Sequence, residues 1–329
     1  MRLGRLASGR LALCAATAFG AAALALPGVP SAEGGAETDG VAGTEVVGEA
    51  ESVEGGVEGG VEGARAGFTG RPRWEVGVGG GWLQSFDYPG SEDPNERGLA
   101  LPFAIYRGPV FRLGDGGVRA MAIERPRVQL ALSIGGSLSS STESDGVRAG
   151  MPDLDYLFEL GPRLRFVLAD RPAGDGGRFQ ASLSLAARAV ASTDFEGLEG
   201  RGALGELALV VARRRVAGSR FDLIARVDAK FADDRLHEYF YEVEPRFASP
   251  ERPAFDAGGG YLGAGANLGV AFRPTERVRL FAGLAHERFD GAANRDSPLF
   301  ETDATTAVAV GFAWTVFRSR ARVDVIDVE

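Results

Sequence analysis

The sequence predicts an all-β chain: an antiparallel transmembrane β-barrel of the bacterial outer membrane with about twelve strands, ten being the alternative. Three observations point there. From Arg73 onward, apolar and polar residues alternate with period two, which places successive side chains on opposite faces of a strand. The alternating runs last about 10–15 residues, longer than the ~5–6 usual in soluble sheets and enough for the ~9–11 of a membrane strand. The chain begins with an export signal, yet no later run reaches the ~18 apolar residues of a membrane helix.

Residues 1–32 read as a secretory signal peptide. Arg2, Arg5 and Arg10 precede or flank the apolar run Leu11 to Leu26, which ends in Pro27-Gly28 among small residues suited to cleavage. Cys14, the only cysteine, lies inside this run. The mature chain is therefore expected to have no disulfide, thiol catalysis or Cys-based metal site. Residues 33–66 are Gly, Glu, Val and Ala, with Val-Glu-Gly-Gly at 53–56 and again at 57–60. Such a segment buries too little apolar area to offset its ordering entropy and reads as a disordered acidic linker. Of the net charge of -9, residues 1–32 carry +3 and 33–66 carry -8, leaving -4 for the remainder. A basic nucleic-acid footprint is absent, so no nucleic-acid partner is expected.

The barrel is expected over 67–317, followed by a tail at 318–329. Candidate strands are 73–86, 99–113, 116–124, 127–138, 154–169, 178–191, 202–215, 220–231, 237–246, 258–273, 277–288 and 304–317. In 154–168, Leu154, Tyr156, Phe158, Leu160, Leu164, Phe166 and Leu168 share one parity. Phe221, Leu223, Ala225, Val227 and Phe231 do so in 221–231, and Val308, Val310, Phe312, Trp314 and Val316 in the last strand. These are expected to face lipid. The opposite parity supplies lumen-facing charges: Asp155, Glu159, Arg163, Arg165, Arg188, Asp222, Arg226, Asp228, Lys230 and Arg279, with Glu75, Glu206 and Glu287. Mixed signs suit a lumen filled by paired charges. A secreted sandwich shares the alternation, but strand length, aromatic residues near strand ends and the signal peptide favour the barrel. Loop lengths conflict with this strand order: 139–153 falls on the short-turn side and Arg125-Pro126 on the long-loop side. Treating 232–257 as one outer loop removes the conflict only in the C-terminal half.

Several motifs recur along the barrel region. Tyr88-Pro89-Gly90-Ser91 follows the first strand, and Leu101-Pro102 leads into Tyr106-Arg107-Gly108. Arg148-Ala149-Gly150-Met151-Pro152-Asp153 precedes Glu159-Leu160-Gly161-Pro162. Phe231-Ala232-Asp233 leads to Tyr239-Phe240-Tyr241-Glu242-Val243, and Asp296-Ser297-Pro298 comes before the last strand. Their order over roughly 70–317 resembles the MipA/OmpV family of outer-membrane proteins. The resemblance implies a barrel in the outer membrane. It also implies a scaffolding role joining a murein lytic transglycosylase to a murein synthase, with outer-membrane lipid and the barrel assembly machinery as further partners. Segment 309–316 is similar to the C-terminal signal read by that machinery, although the chain continues past Phe317. Physically, these motifs are first of all backbone chemistry: Pro presets φ and Gly permits φ > 0 or a close approach.

No catalytic, cofactor or metal site is expected. The two histidines, His237 and His286, stand far apart, and neither a Gly-x-Ser-x-Gly elbow nor HExxH occurs. Asp233-Asp234 and Glu301 with Asp303 read as solvated loop charges rather than a calcium site. The expected function is therefore a non-enzymatic scaffold, with an outer-membrane channel for small solutes as the alternative.

Overall fold

The computed structural model describes residues 71–114, 117–137 and 146–323. The expected signal peptide, the acidic linker and the end of the tail lie outside them. Fourteen strands and one helix follow in order: β1 (Arg71–Pro72), β2 (Trp74–Phe86), β3 (Pro94–Arg107), β4 (Phe111–Gly114), β5 (Gly117–Glu124), β6 (Val128–Ser137), β7 (Tyr156–Pro172), β8 (Arg178–Thr193), β9 (Glu199–Arg214), β10 (Phe221–Ala232), α1 (Asp234–Tyr241), β11 (Gly260–Phe272), β12 (Val278–Arg288), β13 (Ala304–Arg318) and β14 (Arg322–Val323). β2 to β13 form a closed antiparallel barrel of twelve strands. β13 pairs with β2 to close it, Gln84 opposite Val308 and Glu75 opposite Arg318. β1 and β14 make a two-stranded ribbon beside that seam. The fold is the expected outer-membrane barrel. Closure leaves no long sheet edge in hydrocarbon, where unpaired backbone groups cost several kcal/mol each.

The strand number agrees with the sequence reading, but two of its members differ. Residues 99–113 are not one strand. Gly108-Pro109 breaks them, with Gly108 N–H donating to Phe111 O at 3.1 Å, and β4 starts anew. Residues 237–246 are not a strand at all, since 234–241 is α1. Its N-cap is Asp233, whose side chain accepts from Leu236 N–H. One strand gained and one lost leave the total unchanged. The change also removes the loop-length conflict. The connections 87–93, 138–155, 194–198, 233–259 and 289–303 now share one end. The short turns 108–110, 125–127, 173–177, 215–220 and 273–277 share the other, together with β1 and β14. In outer-membrane barrels the long loops are extracellular and the short turns periplasmic.

Alternation sorts the wall. Val227 (51% exposed), Leu160 (49%) and Trp314 (48%) face outward, while Gln180, Ser182, Ser184, Arg226 and Asp228 are buried inside. Aromatic pairs lie toward both ends of the outer surface: Phe221 stacks on Phe272 at 4.6 Å, and Phe231 meets Tyr261 at 5.6 Å. Two expected lipid-facing residues move. A bulge between Thr315 and Phe317 takes Val316 out of register and gives the outward place to Phe317. Leu154 precedes β7 and is buried among loop residues instead.

The wall is low between β3 and β6. β4 has only four residues and pairs with β3 only at Tyr106 and Arg107. Gly108 N–H points to β4, so by alternation the nitrogen of Pro102 also lies on that side, above the last pair. There a missing N–H forfeits no bond to β4. Gly161-Pro162 does comparable work on β7. Register with β8 is interrupted between Leu160 and Arg163, and a Cβ on Gly161 would fall 1.9 Å from Ala187 O.

Candidate functional site

Five connections converge on the long-loop end and cap the lumen. α1 sits inside the mouth: Leu236, Phe240 and Tyr241 pack against inward-facing Leu157, Val190 and Leu204 of the wall and against Tyr88 and Leu154. The motif segments are held there by side chain to backbone hydrogen bonds. Tyr88 OH donates to Leu299 O at 2.6 Å, Tyr241 OH to Pro89 O at 2.7 Å, and Ser297 Oγ to Tyr241 O at 2.7 Å. Arg148 donates to Phe240 O at 2.9 Å and lies 5.7 Å over the Tyr88 ring. Arg252 ties the next loop in, donating to Val147 O at 2.7 Å and Ala149 O at 3.0 Å. Gly90 adopts φ +86°, and a Cβ there would lie 2.7 Å from the Phe300 ring. Ser91 is fully buried beneath Glu301, which also accepts from the Glu92 N–H.

His237 is fully buried in this cap. Asn294 donates to its Nδ1 at 2.5 Å and to Gly258 O at 2.8 Å, while Nε2 faces Gly260 O at 3.4 Å. That arrangement requires a neutral ring protonated on Nε2. Burial holds the His237 pKa below its usual range, against the opposite pull of Asp233 and Asp234. Burial likewise raises the Tyr88 and Tyr241 hydroxyls, and pushes Tyr239 up to about 12. Burial also lowers Arg148 and raises Glu301. Burial is the first cause in each, as expected of a desolvated interior.

Below the cap, a ladder of alternating charge runs around the inner wall. Glu159 meets Arg188 at 3.0 Å, Arg188 meets Glu206 at 3.4 Å, and Glu206 meets Arg226 at 2.7 Å. Arg226 meets Asp228 at 2.9 Å, Asp228 meets Lys230 at 4.0 Å, and Lys230 meets Glu287 at 2.5 Å. Alternation lets each desolvated charge see opposite neighbours, which offsets a burial cost that isolated pairs often fail to recover. Arg165 donates to Ser182 Oγ at 3.0 Å, and Arg163 lies between Glu159 and Arg165 on the same strand face. Near the short turns, Asp222 pairs with Arg273, and Glu75 holds Arg107 at 2.6 Å. A pocket opens there, lined by Phe103, Ile105 and Ala313 on one side and by Glu75, Arg273 and Arg279 on another.

The structure therefore divides the motif residues. Tyr88, Pro89, Gly90, Ser91 and Arg148 meet in the cap, where Gly150 (φ +78°), Met151 and Pro152 turn the chain beside Arg148. Tyr106 lies at the opposite end against Phe111, and Gly161 and Pro162 stay in the wall. Asp155 stands one residue before β7 at the mouth, where its N–H donates to Tyr239 OH at 2.7 Å. His286 is on β12, bonded to Thr306 and remote in function from buried His237. The acidic pairs have loop tasks: Asp233 caps α1, Asp234 accepts from Gly259 N–H, and Asp303 pairs with Arg295. Among the described residues no group of three or more His, Cys, Asp or Glu could hold a metal ion. Sequence reasoning missed Asn294, Arg252 and α1 itself. Asp233 ahead of apolar Leu236, Phe240 and Tyr241 was the available signal, an N-cap followed by helical spacing.

A family model described as MltA-interacting protein MipA matches residues 76–316. No curated protein matches the chain. Among solved structures, OmpT, an outer membrane protein of Vibrio cholerae, is 10% identical with a TM-score of 0.30, over 73% of this chain and 99% of that one. Outer membrane phospholipase A from Escherichia coli is 14% identical with a TM-score of 0.27, over 77% and 95%. A CymD monoaromatic hydrocarbon channel is 9% identical with a TM-score of 0.28, over 74% and 89%. At these scores the likenesses add nothing to the strand pairing described above.

Proposed function

Because the chain belongs to the MltA-interacting protein MipA family and folds as an outer-membrane β-barrel, we propose that it is a non-enzymatic scaffold for murein enzymes. In this reading it holds a murein-cleaving lytic transglycosylase and a murein synthase near one another at the inner face of the outer membrane. One observation carries the reading: a cap built from packed loops stands over a lumen crossed by ion pairs. An interior so committed to its own packing leaves the periplasmic end as the working surface. The buried His237, locked between Asn294 and Gly260, is a packing group and not a general base. The test is co-purification from detergent extracts with a lytic transglycosylase and a murein synthase. Enrichment over an unrelated barrel is expected, and none would refute the scaffold.

The inner pocket beside Phe103 and Arg273 favours a second reading, a small-solute channel. Conductance of the folded protein in planar bilayers separates the two. Silence supports the scaffold, and steady single-channel steps support the channel.

A further inference from the structure

The short-turn end is a ring of arginine. The segments 71–75, 125–127, 171–178, 213–222, 273–279 and 318–323 together carry sixteen arginines and four carboxylates. Some of this charge is matched locally: Asp175 pairs with Arg213 at 2.5 Å, Asp222 with Arg273, and Glu276 with Arg318 at 2.9 Å. Four carboxylates cannot neutralise sixteen guanidinium groups, so the rim keeps a large positive excess. Its centre is the pocket beside Phe103, bordered by Arg273, Arg277 and Arg279. Arg71, where the described chain begins, stands within electrostatic reach of Arg273.

The chain just ahead of Arg71 has the opposite sign. Residues 33–66 hold nine carboxylates and a single arginine, Arg65. Only 67–70 separate this segment from β1. We propose that residues 33–66 dock on the arginine rim of their own barrel and cover the pocket at its periplasmic mouth. Charge complementarity and the point of attachment both select this occupant. Extended, thirty-four residues reach roughly 110 Å, ample to cross the mouth. Tethering makes the encounter intramolecular, at an effective concentration on the order of millimolar, so a weak multivalent attraction suffices. The contact is electrostatic and exposed, and salt screens it. The bound segment competes with any other polyanion for the rim, which makes it an intrinsic brake on acidic partners approaching from the periplasm.

The test uses the full exported chain in detergent, with spin labels at Val57→Cys and Thr275→Cys. A population of short label-to-label distances is expected at low salt. It should disappear in 1 M salt, where the Debye length is about 3 Å, and in a variant whose nine carboxylates in 33–66 are replaced by amides. Distances that are the same in both chains and at both salt concentrations would overturn the proposal. A second measurement does not depend on labels. Soluble poly-glutamate should bind a chain lacking 33–66 about tenfold or more tighter than the full chain, because the tethered competitor is gone. Equal binding to the two chains would overturn it as well.

Discussion

The two ends of the barrel are built on opposite principles. At the long-loop end, the described connections 87–93, 146–155, 194–198, 233–259 and 289–303 carry eighteen carboxylates and five arginines. They fold into one another around Tyr88, Leu236, Phe240 and Tyr241. At the short-turn end the charge is reversed, the turns are brief, and the buried apolar cluster has no counterpart among the described residues. The loops of one end owe their order to burial. Those of the other are set by the strands they join, leaving their side chains free to present charge. Packing at one end and electrostatics at the other should therefore respond to different perturbations.

The largest separation is expected from Tyr241→Ala. It removes a fully buried ring and the bond to Pro89 O, and losses of an aromatic side chain in a core run to ~3–5 kcal/mol. Hydrogen exchange should rise sharply in 87–93 and 233–259 and stay unchanged in 215–220 and 273–277. Uniform loosening of both ends would erase the distinction. Between the ends, Val227→Arg places a charge on the lipid face at a cost of ~2–4 kcal/mol. Asp228→Asn should cost less, since Arg226 keeps Glu206 and Lys230 keeps Glu287. Urea unfolding in vesicles ranks them, and the reverse order would mean that the two faces have been exchanged.

A smaller effect is expected from acid. His237 is held neutral by burial, so its folded pKa lies below its unfolded value near 6.5. Its contribution is intact above that value and is lost as pH falls below it toward the folded pKa. Glu301, raised by burial, works in the opposite direction, so the control is His237→Gln. Limited proteolysis within 233–259 should accelerate between pH 7 and 5 in the parent and much less in His237→Gln. Identical profiles would remove His237 as the cause. The smallest effect belongs to the rim. Arg277→Ala alters an exposed turn and should change stability by no more than ~0.5 kcal/mol, as read by the same urea titration. A loss comparable to that of Tyr241→Ala would show that the rim is structural.

The alternation that made the barrel legible is local. Leu223 and Arg226 declare their faces through their immediate neighbours, because lipid and lumen impose period two on every strand. The cap was not legible, because its order comes from contacts between segments far apart in sequence. Tyr239-Phe240-Tyr241 reads as a strand by composition, and only Tyr88, Leu157 and Leu204 make a helix there worth forming. The motif residues around Tyr88, Arg148 and Ser297 were visible as turn chemistry, but nothing in their spacing shows that they share one cluster. In the lumen, mixed charge was evident, but its pairing was not. Lys230 reaches Glu287 two strands away, across small Gly263 and Gly265 of β11.

The seam between β2 and β13 has a consequence for biogenesis. It joins the first barrel strand to the last, Glu75 opposite Arg318. Until the ribosome has delivered the final strand, β2 has no partner on that side, and every shorter nascent chain is a sheet with two raw edges, prone to pairing with other chains. Export must therefore keep the whole polypeptide apart from its neighbours until translation has passed residue 318. A ribosome stalled within β13 would yield an aggregating fragment rather than a smaller barrel.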